Sequence, residues 1–286
     1  MTTTCLRTEP LRESPTPLLT GTVKAPPDED PPVRWSVIGV FDGTRRIRWP
    51  VLGPLMAMLA FTAVFHWTAI DIAITRLFYD PQGHRWPWFY SSVCTWFYRG
   101  GIYPGFLLAA AGIVWILWSL VRRSPWRTVQ GGVFLVVLFG IGPGLIVNQA
   151  FKHSWGRPRP NQIVEFGGSH EFVPVGLPGT LHQHNSSFPS GHAAVAFYMM
   201  APAFLVSDRH RRLARSLMLG GVAFGGCMGA VRVIQGGHFA SDVVWSGAIV
   251  YFTGLVLARL LLRAPSVIVD AANGPRAPSL GFHRAA

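Results

Sequence analysis

Long apolar runs alternate along this chain with short clusters of arginine. Pro50–Ile70 contains no Asp, Glu, Lys or Arg over 21 residues, Gly101–Val121 repeats that pattern, and Val129–Phe151 gives 23 more. Phe188–Ser207 is uncharged apart from whatever His192 carries. Leu217–Val231 and Val243–Ala258 are shorter and reach membrane length only when Arg232 and Arg259 are counted in. About 20 apolar residues cross a ~30 Å hydrocarbon core. A backbone in lipid must satisfy its own hydrogen bonds, so such runs are helices. The pattern predicts an all-α, polytopic membrane protein with six transmembrane helices in a bundle. Six such segments in one chain argue against the buried helices of a soluble protein.

The ends read differently. Residues 1–34 hold seven prolines and the acidic run Asp28-Glu29-Asp30. They cannot bury enough apolar surface to offset chain entropy, and read as a disordered cytoplasmic tail. Residues 264–286, with Pro265, Pro275 and Pro278, read as a second flexible tail. The expected membrane domain is 35–263. The first tail has no apolar core of the signal-peptide type, so the first span is expected to act as the targeting signal.

Between the first two spans, Asp71 to Gly100 is crowded with aromatic rings, among them Tyr79, Trp86, Trp88, Tyr90, Trp96 and Tyr98. Rings of this kind favour the headgroup level, which predicts a short interfacial helix there. Such a helix either helps admit a lipid or simply anchors the fold. Gly221, Gly225 and Gly229 recur every four residues, as do Gly140 and Gly144. That spacing is a signal for close helix packing and carries no chemistry.

Charge changes the picture in two ways. Only 13% of the 286 residues are charged while 50% are hydrophobic, too little charge to cover a soluble protein of this size. The balance is nevertheless +12. Low charge density argues against nucleic acid as partner and for a lipid bilayer with positive loops. Thirteen arginines flank the spans on one side, including Arg45, Arg46, Arg122, Arg123, Arg211 and Arg212, against seven Lys and Arg on the other. The positive-inside rule then makes both termini cytoplasmic. Cys5, Cys94 and Cys227 are too few and too scattered for a disulfide scaffold or a zinc knuckle.

The outer seven need a further reason, and three clusters at that face supply one. The first is Lys152-His-Ser-Trp-Gly-Arg157-Pro-Arg159-Pro160, the second Pro189-Ser190-Gly191-His192, the third Arg232 through His238 to Asp242. Lys152, Arg159 and Arg232 supply three fixed positive charges, suited to a dianionic phosphate. Ser190 and Gly191 open a helix, where backbone N–H groups and the dipole favour an anion. His238 and Asp242 are four apart on one helical face, so the carboxylate could fix the imidazole's tautomer. His192 offers a second imidazole as an acid. Together they describe a phosphoryl-transfer site built from side chains, with no metal and no cofactor. His66, His84, His153 and His210 stand outside the constellation and read as structural or interfacial. His170, His182 and His184 lack the Cys or carboxylate companions of a zinc site.

These clusters resemble the signature of the type 2 phosphatidic acid phosphatase superfamily: Lys-x6-Arg-Pro, Pro-Ser-Gly-His and Ser-Arg-x5-His-x3-Asp. Lys152 to Arg159-Pro160, residues 189–192, and Arg232, His238 and Asp242 fit the three spacings. One departure is visible, Val231 where the pattern has Ser. Arg157-Pro158 is a second Arg-Pro pair in the wrong register. The resemblance implies a metal-independent lipid phosphatase in the bacterial inner membrane with its site facing the periplasm. In it His238 is the nucleophile, Asp242 orients and activates it, and His192 is the acid and then the base. Lys152, Arg159, Arg232, Ser190 and Gly191 would hold the phosphate. The loop Asn161–Ser187, with Glu165-Phe-Gly-Gly168, and Gln235 to Asp242 look similar to lipid A phosphatases of the 1-position type. Undecaprenyl diphosphate, phosphatidate and phosphatidylglycerophosphate are the other lipid phosphates such enzymes take. An anion-binding transporter is the non-enzymatic alternative. Its inverted repeats are not seen, and Gly142-Pro143-Gly144 is the only obvious helix break.

Overall fold

Residues 48–181, 186–206 and 210–262 are described in a computed structural model. Both tails, the arginines at 34, 45, 46, 209 and 263, and His182 and His184 lie outside the described residues. The described residues form helices and loops, with two isolated bridges (Asp80 with Arg85, Ile163 with His170) and no strand.

Helix α1 (Leu52–Trp67) ends where Thr68 turns extended, and α2 (Ile70–Arg76) leaves it at a 77° bend. Next come α3 (Ser92–Gly100) and α4 (Tyr103–Val121). Ser91 starts α3 by accepting a hydrogen bond from the Cys94 amide, and only two residues separate α3 from α4. The expected interfacial segment therefore runs into the second span as one 30-residue stretch, Ser92–Val121.

The third apolar run is α5 (Trp126–Phe139), which continues as a π-helix over Gly140–Phe151 and a last turn, Lys152–Ser154. Pro143 has no N–H and cannot join the ordinary helical ladder. The sequence suggested a break here; the helix instead widens. The Asn148 side-chain amide donates to the Pro143 carbonyl at 2.8 Å, giving the widened stretch a partner for that oxygen.

The fourth run forms α6 (Gly191–Phe197), a tight turn at Tyr198–Met200, and a short helix Pro202–Leu205. Then α7 (Arg211–Ile234) and α8 (Ala240–Leu261) close the bundle. By length and apolarity four stretches among the described residues can cross a bilayer: Ser92–Val121, Trp126–Ser154, Arg211–Ile234 and Ala240–Leu261. Counting α1 with α2 makes five, while Gly191–Leu205 is shorter than a full crossing.

The short helix is the buried one. Ala193, Ala194, Ala196, Tyr198 and Ala201 are inaccessible, and α6 is enclosed by α5, α7, α8 and α4. Its small side chains permit this, and so do the glycines of α7. A Cβ at Gly221 would strike the Met200 backbone, one at Gly225 the Phe197 ring, and one at Gly229 the Val243 side chain. Without a strong hydrophobic drive between helices in lipid, such close approach supplies the packing. Gly140 and Gly144 do not act this way, for Gly140 faces open space and Gly144 meets only the Phe139 carbonyl. Large side chains at Leu52, Met56, Leu59, Leu107, Val114, Leu117 and Leu219 remain exposed, which marks the outer faces of α1, α4 and α7 as apolar.

The aromatic segment before α3 divides into two uses. Trp88, Tyr90 and Trp96 are exposed. Tyr79 and Trp86 instead pack on Phe166, and Trp86 presses on Gly236. Gly236 has φ +64, and the Asn161 amide donates to its carbonyl at 3.2 Å. The turn between α7 and α8 is thereby clamped from two sides.

Candidate active site

That turn carries His238. Lys152 lies at the far end of the widened α5, Arg159 lies just beyond it, Gly191 and His192 begin α6, and Arg232 ends α7. The fold brings all six to one cavity of about 380 Å³, whose lining also includes Tyr98 and Asn148. Of the eight residues expected from the sequence, six line the cavity together. Asp242 and Ser190 do not.

Ser190 is fully buried, and its polar groups are engaged inside the fold. Its hydroxyl accepts from the Ala193 amide at 3.4 Å as the cap of α6, and its own amide donates to the Asp242 carbonyl at 3.4 Å. The geometry makes Ser190 a cap and a tie to α8, leaving Gly191 as the cavity-lining member of the pair. A Cβ on Gly191 would fall on the Asn148 side chain, so glycine is what lets α6 begin this close to α5.

The cations are held individually. The Lys152 ammonium donates to the Ser186 carbonyl at 3.2 Å. Arg232 donates through one terminal nitrogen to Gln235 Oε1 at 2.6 Å, while Gln235 donates to the Phe89 carbonyl at 3.2 Å. The Arg232 Nε is buried and has no hydrogen-bond partner among the described residues. An unpaired buried guanidinium nitrogen beside a cavity is costly unless an acceptor such as a phosphate oxygen arrives. Gly237 suits the same arrangement, since a Cβ there would meet the Arg232 guanidinium and make it shift. Burial lowers the pKa of Arg159 from its ordinary value, against the opposing pull of Asp242. Val231, at the position where Ser was expected, is a buried residue of α7.

His238 is 1% exposed and its tautomer can be assigned. Its Nδ1 lies 2.6 Å from the Ser187 carbonyl oxygen. A carbonyl can only accept, so Nδ1 carries the proton and Nε2 the lone pair. Burial pushes the His238 imidazole down to about 3, with Lys152, Arg232 and Arg159 adding to the shift and Asp242 opposing it. The ring is therefore neutral, with Nε2 available as a nucleophile, at any pH near 7.

The direct clamp of His238 by Asp242 inferred from their spacing takes a different form. Asp242 Oδ2 lies 3.8 Å from Nδ1, close enough for Coulomb attraction and too long for a hydrogen bond. The same oxygen accepts from the Ser187 hydroxyl at 2.6 Å and from the Phe239 amide at 2.8 Å. Asp242 thus fixes Ser187, and the Ser187 carbonyl fixes His238. The i,i+4 spacing was right about proximity, but backbone groups reach the ring first.

Sequence reasoning missed two residues behind this chain of contacts. Arg157, set aside for its register, is fully buried and bridges two carboxylates, donating to Asp242 Oδ1 at 2.5 Å and to Asp71 Oδ2 at 2.9 Å. It also donates to the Ser241 hydroxyl and the Val173 carbonyl, both at 2.8 Å. Asp71, from α2, accepts from the Ser241 amide at 3.0 Å and from its hydroxyl. Gly156, at φ +66 and packed against the Gly179 carbonyl, turns the chain inward just before Arg157. The signal for Asp71 was present in the sequence: it is an uncompensated carboxylate directly after an uncharged span. His66 and His153 bond to the Val175 and Gln149 carbonyls, as structural histidines do.

A bundle of apolar helices closes three cations and two imidazoles around one cavity, a membrane protein whose cavity charge suits a phosphate-like anion. The sequence pattern described as the PAP2 superfamily matches residues 132–265. The chain is 32% identical over 217 residues to a protein named lipid A 4'-phosphatase from Francisella tularensis subsp. novicida, covering 74% of this chain and 96% of that one. It is 31% identical over 134 residues to a lipid A 1-phosphatase from Rhizobium etli, covering 44% of this chain and 50% of that one. A solved structure, the first transmembrane PAP2 type phosphatidylglycerolphosphate phosphatase from Bacillus subtilis, is similar over 73% of this chain and 92% of its own. It shares 22% identity with a TM-score of 0.44. The chain belongs to the PAP2 superfamily.

Proposed function

We propose that this membrane protein is a lipid phosphatase that hydrolyses a phosphomonoester of lipid A. The observation that carries the reading is the single cavity shared by Lys152, Arg159, Gly191, His192, Arg232 and His238. In the proposed reaction the His238 Nε2 lone pair attacks phosphorus and the bond from phosphorus to the lipid oxygen breaks. His192, as imidazolium, gives its proton to the departing oxygen. Water then attacks the phosphohistidine, its proton passes to the now neutral His192, and inorganic phosphate leaves with Nε2 restored. Lys152, Arg159 and Arg232 hold the non-bridging oxygens and stabilise the charge of the five-coordinate state. Asp242, through Ser187, keeps the proton of His238 on Nδ1.

The position of the phosphate is the finer choice. Relatives named for the 1-position support the resemblance seen in the loop and the third cluster. The 217-residue match to a protein named for the 4'-position favours that site first. Residues 35–263 are the proposed catalytic domain, with six spans, both termini cytoplasmic and the cavity facing the periplasm of the inner membrane. In this topology Gly191–Leu205 is a short fourth span surrounded by the others. Detergent-purified protein offered lipid A labelled at either phosphate, phosphatidate, phosphatidylglycerophosphate and undecaprenyl diphosphate tests the substrate. Preferred release of the 4'-phosphate from lipid A is the expected result. A faster rate on any of the other three lipids rejects lipid A.

A further inference from the structure

His192 and His238 are held in different ways. His238 has the Ser187 carbonyl on its Nδ1, whereas His192 makes no hydrogen bond to any described residue. What touches the His192 ring is Tyr98. The two rings are stacked, with centroids 4.8 Å apart and planes 20° from parallel. The Arg232 guanidinium carbon also lies over the Tyr98 ring, 4.7 Å from its centroid. Tyr98 itself lines the cavity. It comes from α3, a helix outside the three sequence clusters, and its neighbours Trp96 and Arg99 line a separate open depression along that helix.

We propose that Tyr98 is a positioning residue for the reaction. Its aromatic face sets the plane of the His192 imidazole and steadies the Arg232 guanidinium beside it. This rests on the phosphatase reading and adds to it a residue that no cluster contains. Three effects make the face suitable. A flat ring stacked on an imidazole removes ring rotation without occupying either nitrogen, so both stay available for proton transfer. The negative face of a phenol favours cations, and therefore favours the imidazolium that gives up a proton over the neutral ring left behind. That matters here because Lys152, Arg159 and Arg232 line the same cavity, with neutral His238 as the other titratable group. The ring also lies against the Arg232 guanidinium and shields it from rotating away from the anion. The hydroxyl is not needed for any of these effects.

The experiment is a double-mutant cycle read as kcat and KM on the preferred lipid. Tyr98→Leu is expected to lower kcat about tenfold, a fraction of the roughly 10²–10⁴-fold that a positioned proton donor contributes, with KM changed less. Tyr98→Phe, which keeps the face, stays within about twofold of wild type on the same reasoning. In a His192→Gln background, Tyr98→Leu produces only a small further loss, because its main effect passes through His192. Tyr98 is 40% exposed, so its replacement leaves little void, and Tyr98→Met gives a second variant of similar bulk should the leucine variant prove unstable. A Tyr98→Leu or Tyr98→Met protein with wild-type kcat overturns the proposal. So does a Tyr98→Phe protein as slow as the leucine variant, or a full tenfold loss retained on His192→Gln. Those results leave the phosphatase reading standing. Absence of His238-dependent phosphate release from wild type overturns that reading and this proposal with it.

Discussion

Arg157 ties the packing of two helices to the proposed chemistry. It is fully buried between Asp71 of α2 and Asp242 of α8, each also fully buried, so removing its charge strands two carboxylates away from water. Breaking one buried pair by deleting a partner costs about 3–5 kcal/mol. With two carboxylates abandoned, Arg157→Met is expected near the upper end, about 5 kcal/mol, against a total folding stability of about 5–15 kcal/mol. Methionine keeps the length and apolar contacts of the stem, so the loss reports charge and hydrogen bonds. The assay is equilibrium unfolding in mixed micelles titrated with SDS, followed by tryptophan fluorescence. Adding Asp71→Asn to the Arg157→Met protein removes one stranded charge and is expected to return about 2 kcal/mol of that loss. Phosphate release stays low in the double variant, because Asp242 still lacks the guanidinium that holds it toward Ser187. An Arg157→Met protein within about 0.5 kcal/mol of wild type, the range of an inert surface change, would refute the bridging role. A further fall in stability on adding Asp71→Asn would refute it equally.

Two other predictions follow from the same geometry. The folded His238 imidazole titrates near 3 and the unfolded one near 6.5, so between those values the folded protein binds fewer protons. Its contribution to stability is complete above the unfolded value and is lost as pH falls toward the folded one. Wild-type stability should therefore fall more steeply than that of His238→Gln on acidification from pH 6.5 toward 4; parallel curves would count against the buried neutral ring. Gly191→Ala should push the Asn148 side chain into the cavity and slow phosphate release by up to about a hundredfold, as a displacement of about 1 Å at a site can do. Asn148→Ala in that background should recover the rate, and an unaffected single variant would show that the approach of α6 to α5 is not needed.

Much of the candidate site can be read from the sequence because its members lie close together along the chain. Lys152 and Arg159, Gly191 and His192, Arg232 and His238 are short-range pairs at helix ends, and apolar runs place those ends on one face. What the sequence does not carry is contact between distant elements. Arg157 meets Asp71 across 86 residues, and Tyr98 meets His192 across 94, so no local spacing announces either pair. Asp242 shows a different limit, for it does lie 3.8 Å from the His238 ring. Helical spacing placed it beside His238, yet the Ser187 carbonyl, 51 residues away, occupies the ring nitrogen. The glycine pattern separates in the same way. Gly221, Gly225 and Gly229 lie against neighbours, whereas Gly140 and Gly144 sit in the widened part of α5, where a four-residue period no longer marks one face.

The central claim is that the His238 Nε2 attacks phosphorus. The direct test is rapid mixing of purified protein with lipid A carrying radioactive phosphate, quenching in alkali, and mapping the label. The account predicts a protein-bound phosphate that is stable in alkali, released by acid, located on His238 and absent from His238→Ala. Phosphate release by His238→Ala at a rate near wild type, or label on any other residue, would contradict it.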